Sequence, residues 1–131
     1  MKGVRWETVT SHADARGELR PLEFGKPLDF LPARIFVISH CPPEAVRASH
    51  AVSSQLALVA LIGSVRVTLD NGEARETFTL SSPDRTLLLQ PGIWLQLSAF
   101  SADCQLMVMA SETFDAVRYY DQAEPGLMTG L

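Results

Sequence analysis

Three imidazoles are the only side chains of this 131-residue chain whose ordinary titration falls between pH 5 and 8, so they define the proton chemistry open to it: His12, His40 and His50. His12 lies in Thr10-Ser11-His12-Ala13-Asp14 and reads as a solvated turn residue, while His40 ends the segment Arg34–Ser39, nearer to where a cavity mouth would open. His50 is set in Arg47-Ala48-Ser49-His50-Ala51-Val52, three residues after a cation and just before a long apolar strand. A general base and a loop histidine bound to backbone both fit that pattern. The second kind of chemistry is anion recognition. Arg16, Arg34, Arg47 and Arg66 are scattered in sequence, yet a β-barrel can gather them at one end, where guanidinium forks suit bidentate phosphate contacts. For any one arginine taken alone, a surface ion pair is the commoner role. Trp94, after Pro91-Gly92, offers a ring for stacking on a base or sugar, or a core aromatic.

Other chemistries lack their residues. A metal site needs three or four converging donors, and the chain has no His-x-His and no cysteine pair at zinc spacing, so no metal and no cofactor is expected. No Gly-x-Ser-x-Gly elbow occurs, and Gly63 in Leu61-Ile62-Gly63-Ser64 stands alone between two strands rather than in a phosphate-cradling loop. Cys41 and Cys104 form no disulfide framework, and Cys104 lies in an apolar run as a buried thiol. Eleven Lys and Arg against 15 Asp and Glu leave a net charge of −4 without a basic block, which argues against nucleic-acid binding. The longest apolar run, Leu56–Ile62, is far short of the roughly 20 residues of a membrane span. A charge interrupts Met1-Lys2-Gly3-Val4-Arg5 before any secretory core can build, so a cytoplasmic protein is expected.

The elements that must position these residues are short strands. Turn signals recur between runs of Val, Ile, Leu, Phe and Thr, and the pattern predicts eight strands in one domain spanning residues 1–131. They are Glu18–Phe24, Arg34–Ser39, Gln55–Ile62, Ser64–Asp70, Ala74–Leu80, Thr86–Leu89, Ile93–Leu97 and Ala102–Ala110. Asn71-Gly72 predicts a hairpin with a type I′ turn between the fourth and fifth. In Ser64–Asp70, Val65, Val67 and Leu69 share one face, and Arg66 on the other points either into a pocket or to water. The stretch from Asp121 onward reads as loose or as docking on a partner.

Taken in order, several segments resemble the cupin-fold sugar 3,4-ketoisomerases, the WxcM-like group. They are Arg16-Gly17-Glu18-Leu19, Arg34-Ile35-Phe36, Arg47-Ala48-Ser49-His50-Ala51, the run Gly63 to Gly72, Pro91-Gly92-Ile93-Trp94, Phe100 to Cys104, and Arg118-Tyr119-Tyr120-Asp121. The resemblance implies an all-β cupin jelly-roll barrel of the RmlC type, a homodimer without metal, and a pocket for a dTDP-linked 4-keto-6-deoxyhexose. It further implies a ketone moved from C4 to C3 by proton transfer through an enediol. Residue by residue, it makes His50 the general base and Arg47 its electrostatic partner or a ligand contact. It assigns substrate binding to Arg16, Arg34, Arg66, Gln55 and Trp94.

The family motif is Arg-Gly-x-His-x-His, and this chain matches its arginine at Arg47 and its first histidine at His50, with Val52 in place of the second. Family tyrosines that face the sugar are replaced near Phe36 and Val37, and a family histidine after Trp94 is replaced by Leu95. The alternative reading is therefore a non-catalytic sugar-nucleotide-binding cupin that has lost the second histidine.

Overall fold

A computed structural model describes residues 1–128, and the described residues form fourteen short strands, labelled in chain order. They are β1 (Val4–Thr8), β2 (His12–Asp14), β3 (Gly17–Leu19), β4 (Glu23–Phe24), β5 (Pro27–Leu28), β6 (Arg34–Ser39) and β7 (Arg47–Val52), followed by β8 (Leu56–Ile62), β9 (Val65–Asp70), β10 (Arg75–Leu80), β11 (Arg85–Leu89), β12 (Trp94–Ser98), β13 (Gln105–Ala110) and β14 (Tyr119–Tyr120). Two five-stranded sheets, β1-β11-β8-β13-β6 and β10-β9-β12-β7-β14, are antiparallel throughout. Their facing sides enclose the main core, which makes the jelly-roll barrel implied by the resemblance.

Strand alternation fills that core. On β9, Val65, Val67 and Leu69 are fully buried, and they pack among Leu58, Leu87, Leu97 and Leu106 from neighbouring strands. The apolar run of β8 has a different cause, because both of its faces are covered. Leu56, Leu58 and Ala60 enter the barrel, while Ala57 and Val59 lie under Leu28 and Phe30 in a second cluster outside the first sheet.

Most expected strands are present within a residue or two, with four corrections. Glu18–Phe24 is broken into β3 and β4, since Pro21 cannot donate to a ladder and Arg20 leaves to bind Asp84 at 2.6 Å. The Asn71-Gly72 hairpin exists, but its loop runs through four residues, Asn71 to Ala74, and positive φ occurs only at Gly72. Asn71 is buried, and its Oδ1 accepts bonds from the Glu73 and Ala74 amides, so its side chain builds a wider turn than type I′ allows. Five strands, β1, β2, β5, β7 and β14, lie outside the expected set. Finally, the segment from Asp121 docks on its own barrel. The Glu124 amide donates to the Gly92 carbonyl at 2.8 Å, and any Cβ on Gly92 would fall 2.1 Å from the Glu124 carbonyl oxygen. Residues 129–131 lie outside the described residues.

Candidate active site

A cavity of about 200 Å³ opens between the two sheets where the edge strand β6 faces β7 and β14. Its inner wall is apolar and buried, with Val52, Leu95, Leu97 and Val108 each less than a tenth exposed. Its polar groups are Arg34, Arg47, His50, Ser54, Glu112 and Tyr119. Pockets that engulf a drug-sized ligand run to roughly 300–1,000 Å³, so this one takes a group about the size of a sugar ring and leaves anything larger at the mouth.

His50 owes its aim to a bulge. Leu95 of β12 pairs with His50 but the next residue, Gln96, pairs with Ala48, so the register slips by one across Ser49. Ala48 and Ser49 both take left-handed conformations, with φ of +65° and +63°, and Gln96 Nε2 donates to Ser49 Oγ at 3.1 Å to hold the bulge. A left-handed backbone is costly for residues with a Cβ, and it persists here because the flanking ladder imposes it. The imidazole that results is half-buried, packed edge-on against Tyr119 with ring centroids 4.9 Å apart. Among the described residues its Nδ1 is buried without a hydrogen-bond partner. Burial holds the ring below its ordinary pKa of 6.5, which favours the neutral, proton-accepting form at neutral pH.

Of the sequence-assigned residues, the structure brings Arg34, Arg47 and His50 together on this cavity and places the other four elsewhere. Arg34 enters from β6, its guanidinium 4.4 Å from the Phe36 ring centroid and 5.0 Å from that of Phe114. Among the described residues no carboxylate pairs with Arg34 or Arg47, which leaves two cations at the mouth free for an anion. Arg16 sits on the exposed β2–β3 hairpin, held by Asp14 at 2.7 Å. Arg66 lies on the outer face of β9, because its neighbours Val65 and Val67 fill the inner one. Trp94 is on the outer side of β12 beneath the Arg75 guanidinium at 4.7 Å, since Leu95 takes the inward position. Gln55 closes the β7–β8 turn, its backbone amide donating to Ser111 Oγ at 2.9 Å.

The replacements divide in the same way. Val52 and Leu95 line the cavity, but Val37 is half exposed on the outside of β6, and Phe36 is the inward residue there. Strand parity thus removes Val37 from any contact with the pocket. His12 and His40 are both exposed and away from the cavity. Sequence reasoning did not single out Tyr119, Glu112 or Ser54 for chemistry. Glu112 accepts from Ser53 Oγ at 2.6 Å, and Ser54 Oγ donates to the Gln55 carbonyl at 3.0 Å and accepts from the Glu112 amide at 3.1 Å. Both are occupied in joining β7 to the end of β13.

Comparison with known proteins places this geometry in context. The family model described as FdtA, WxcM-like, C-terminal, matches residues 2–125. The chain is 37% identical over 110 residues to the TDP-4-oxo-6-deoxy-alpha-D-glucose-3,4-oxoisomerase of Aneurinibacillus thermoaerophilus, covering 83% of this chain and 79% of that protein. It superposes on the WlaRB TDP-quinovose 3,4-ketoisomerase of Campylobacter jejuni with a TM-score of 0.88 and 28% identity, over 93% of this chain and 95% of the other. A third similar structure is a histidine-to-asparagine mutant of the 3,4-ketoisomerase QdtA from Thermoanaerobacterium thermosaccharolyticum in complex with TDP-4-keto-6-deoxyglucose. There the TM-score is 0.86 and the identity 25%, over 93% of this chain and 89% of that one.

Proposed function

The chain belongs to the FdtA family, WxcM-like, C-terminal, and from that membership we propose that it is a 3,4-ketoisomerase of a TDP-linked 4-keto-6-deoxyhexose. The observation that carries the reading is a half-buried histidine, held below its ordinary pKa by burial, that shares a sugar-sized cavity with two arginines free of carboxylate partners among the described residues. His50 removes the C3 proton, the electron pair moves through C3–C4 onto the C4 oxygen, and an enediol results. Return of the proton at C4 leaves the ketone at C3. The imidazole suits this task because a base works best when it is unprotonated at the working pH. Arg34 and Arg47 take the diphosphate at the mouth, where their forks meet anionic oxygens.

The non-catalytic alternative rests on Val52 and Leu95, which do line the cavity. The 37%-identical relative and the superposed structures are named as isomerases, and they favour the catalytic reading. The reading includes a metal-free, cytoplasmic homodimer. In support of a dimer, the edge strand β6 presents Ile35 and Val37 outward with more than half of each exposed, an apolar strip suited to a second copy.

Proton NMR with TDP-4-keto-6-deoxyglucose in deuterated water tests the activity. Loss of the C3 proton signal together with a 3-keto product is expected. Ligand-induced shifts in the protein without exchange or product would establish the binding module instead.

A further inference from the structure

Ketone transposition moves two protons, and His50 accounts for only one of them. The carbon-bound proton leaves C3 and returns at C4. A second, oxygen-bound proton must pass from O3 to O4, because the C3 hydroxyl becomes the carbonyl while the former C4 carbonyl becomes a hydroxyl. With valine at position 52, the second imidazole of the family motif is absent, so another group must serve the oxygens.

Only two side-chain hydroxyls line the cavity among its described residues, those of Ser54 and Tyr119. Ser54 is occupied by the Gln55 carbonyl, Ser111 and the Glu112 amide. The Tyr119 hydroxyl makes no hydrogen bond among the described residues, and the side chain is half exposed to the cavity mouth. Two placements single it out further. β14 pairs with β7 so that Tyr119 stands directly opposite Val52, beside the position the motif's second histidine would occupy. Its ring also packs edge-on against His50 at 4.9 Å, close enough for one C3–C4 unit to touch both side chains.

Resting on the isomerase reading above, we propose that Tyr119 is the oxygen-side catalytic group, taking over the role left vacant at Val52. Its phenol O–H is donated to O4 as charge develops there, and its oxygen accepts the proton leaving O3. One proton is gained and one lost, so the phenol ends as it began and no further reactant is required. His50 handles the carbon-bound proton in parallel. A hydrogen-bond donor aimed at a developing oxyanion is also a source of rate in itself.

The test is Tyr119→Phe, which keeps the ring against His50 and removes only the oxygen. In deuterated water the variant should form 3-keto product about 100-fold more slowly, the lower end of what a positioned acid or base contributes. KM should rise by no more than about tenfold, the share of the hydrogen bond already made in the bound ground state, and C3 exchange should fall less than product formation, so that exchange per product rises at least about tenfold. Unchanged product formation, or exchange and product falling in step, would overturn the assignment. A binding measurement separates this from failure of the isomerase reading. In a His50→Asn background, adding Tyr119→Phe should weaken TDP-4-keto-6-deoxyglucose about tenfold, as loss of one hydrogen bond predicts, and leave TDP unaffected. Equal affinities would sink the Tyr119 contact whether or not the parent turns over, while a parent without exchange or product would sink the isomerase reading alone.

Discussion

Strand β12 has two edges, and they meet different company. Along one it pairs with β9 from Trp94–Asp70 to Ser98–Arg66 without a slip; along the other it pairs with β7 through a register shift between Leu95 and Gln96. On the β9 side local pattern and packing agree: Val65, Val67 and Leu69 are fully buried, and Thr68 and Thr77 share a cross-strand hydrogen bond at 3.1 Å. On the β7 side two non-glycine residues are left-handed and, among the described residues, a buried imidazole nitrogen is unpartnered and Arg47 has no carboxylate partner. Each of those features is a local cost with no structural return. The sheet is therefore divided into a half that holds the fold and a half that is held by it, which is where reactive groups are expected to lie.

If the division is real, mutations should separate activity from stability. His50→Asn is expected to lower isomerisation by about 10³-fold, the middle of the range for loss of a general base. Because Nδ1 has no partner to lose among the described residues, the thermal midpoint should move by no more than about 2 °C. Leu69→Ala is the converse. It empties a fully buried position on β9, and should cost about 3 kcal/mol in a denaturant titration while the folded fraction keeps its turnover. A loss of kcat in the Leu69 variant, or a marked fall in stability of the His50 variant, would mean that the two halves are one cooperative unit.

The same division governs what could be read from the sequence. The β9 side was legible because alternation and the Asn71-Gly72 turn both report on it, but alternation leaves the aim of Arg66 open between pocket and water, and only the full burial of its neighbours turns it outward. The inward aim of Leu95 likewise implies the outward aim of Trp94. β7 was not legible as a strand. Arg47-Ala48-Ser49-His50 shows no alternation, and its bulge is imposed by the pairing with β12 rather than by any residue preference. Tyr119 was hidden for another reason: β14 is two residues long, too short to carry a period, and its position opposite Val52 exists only after the chain has closed around the barrel. β1 did carry alternation, with Val4 and Trp6 packing against the core while Arg5 pairs with Glu7 at 3.1 Å, and its place at the chain start concealed it.

The smallest expected effect gives the sharpest form of the comparison, because one chemical change should reverse its sign between the two kinds of backbone. Ala57 lies fully buried in the regularly paired part of β8 and is not left-handed, so Ala57→Gly loses a buried methyl and adds freedom to the unfolded chain, for a cost of about 1.5 kcal/mol. Ala48 holds φ at +65°, where the Cβ itself is the source of strain of about 1–2 kcal/mol. Ala48→Gly relieves that strain, gives back part of the gain through unfolded-state entropy, and should stabilise the protein by about 0.5–1 kcal/mol. Glycine accepts the same φ, so the bulge and the aim of His50 should survive, and kcat should stay within about twofold. Paired denaturant titrations decide the matter. Destabilisation at both positions would show that the Ala48 methyl contributes more as part of the cavity wall than it costs in backbone strain, and the contrast between the two edges of β12 would then lie in the unpartnered side chains alone.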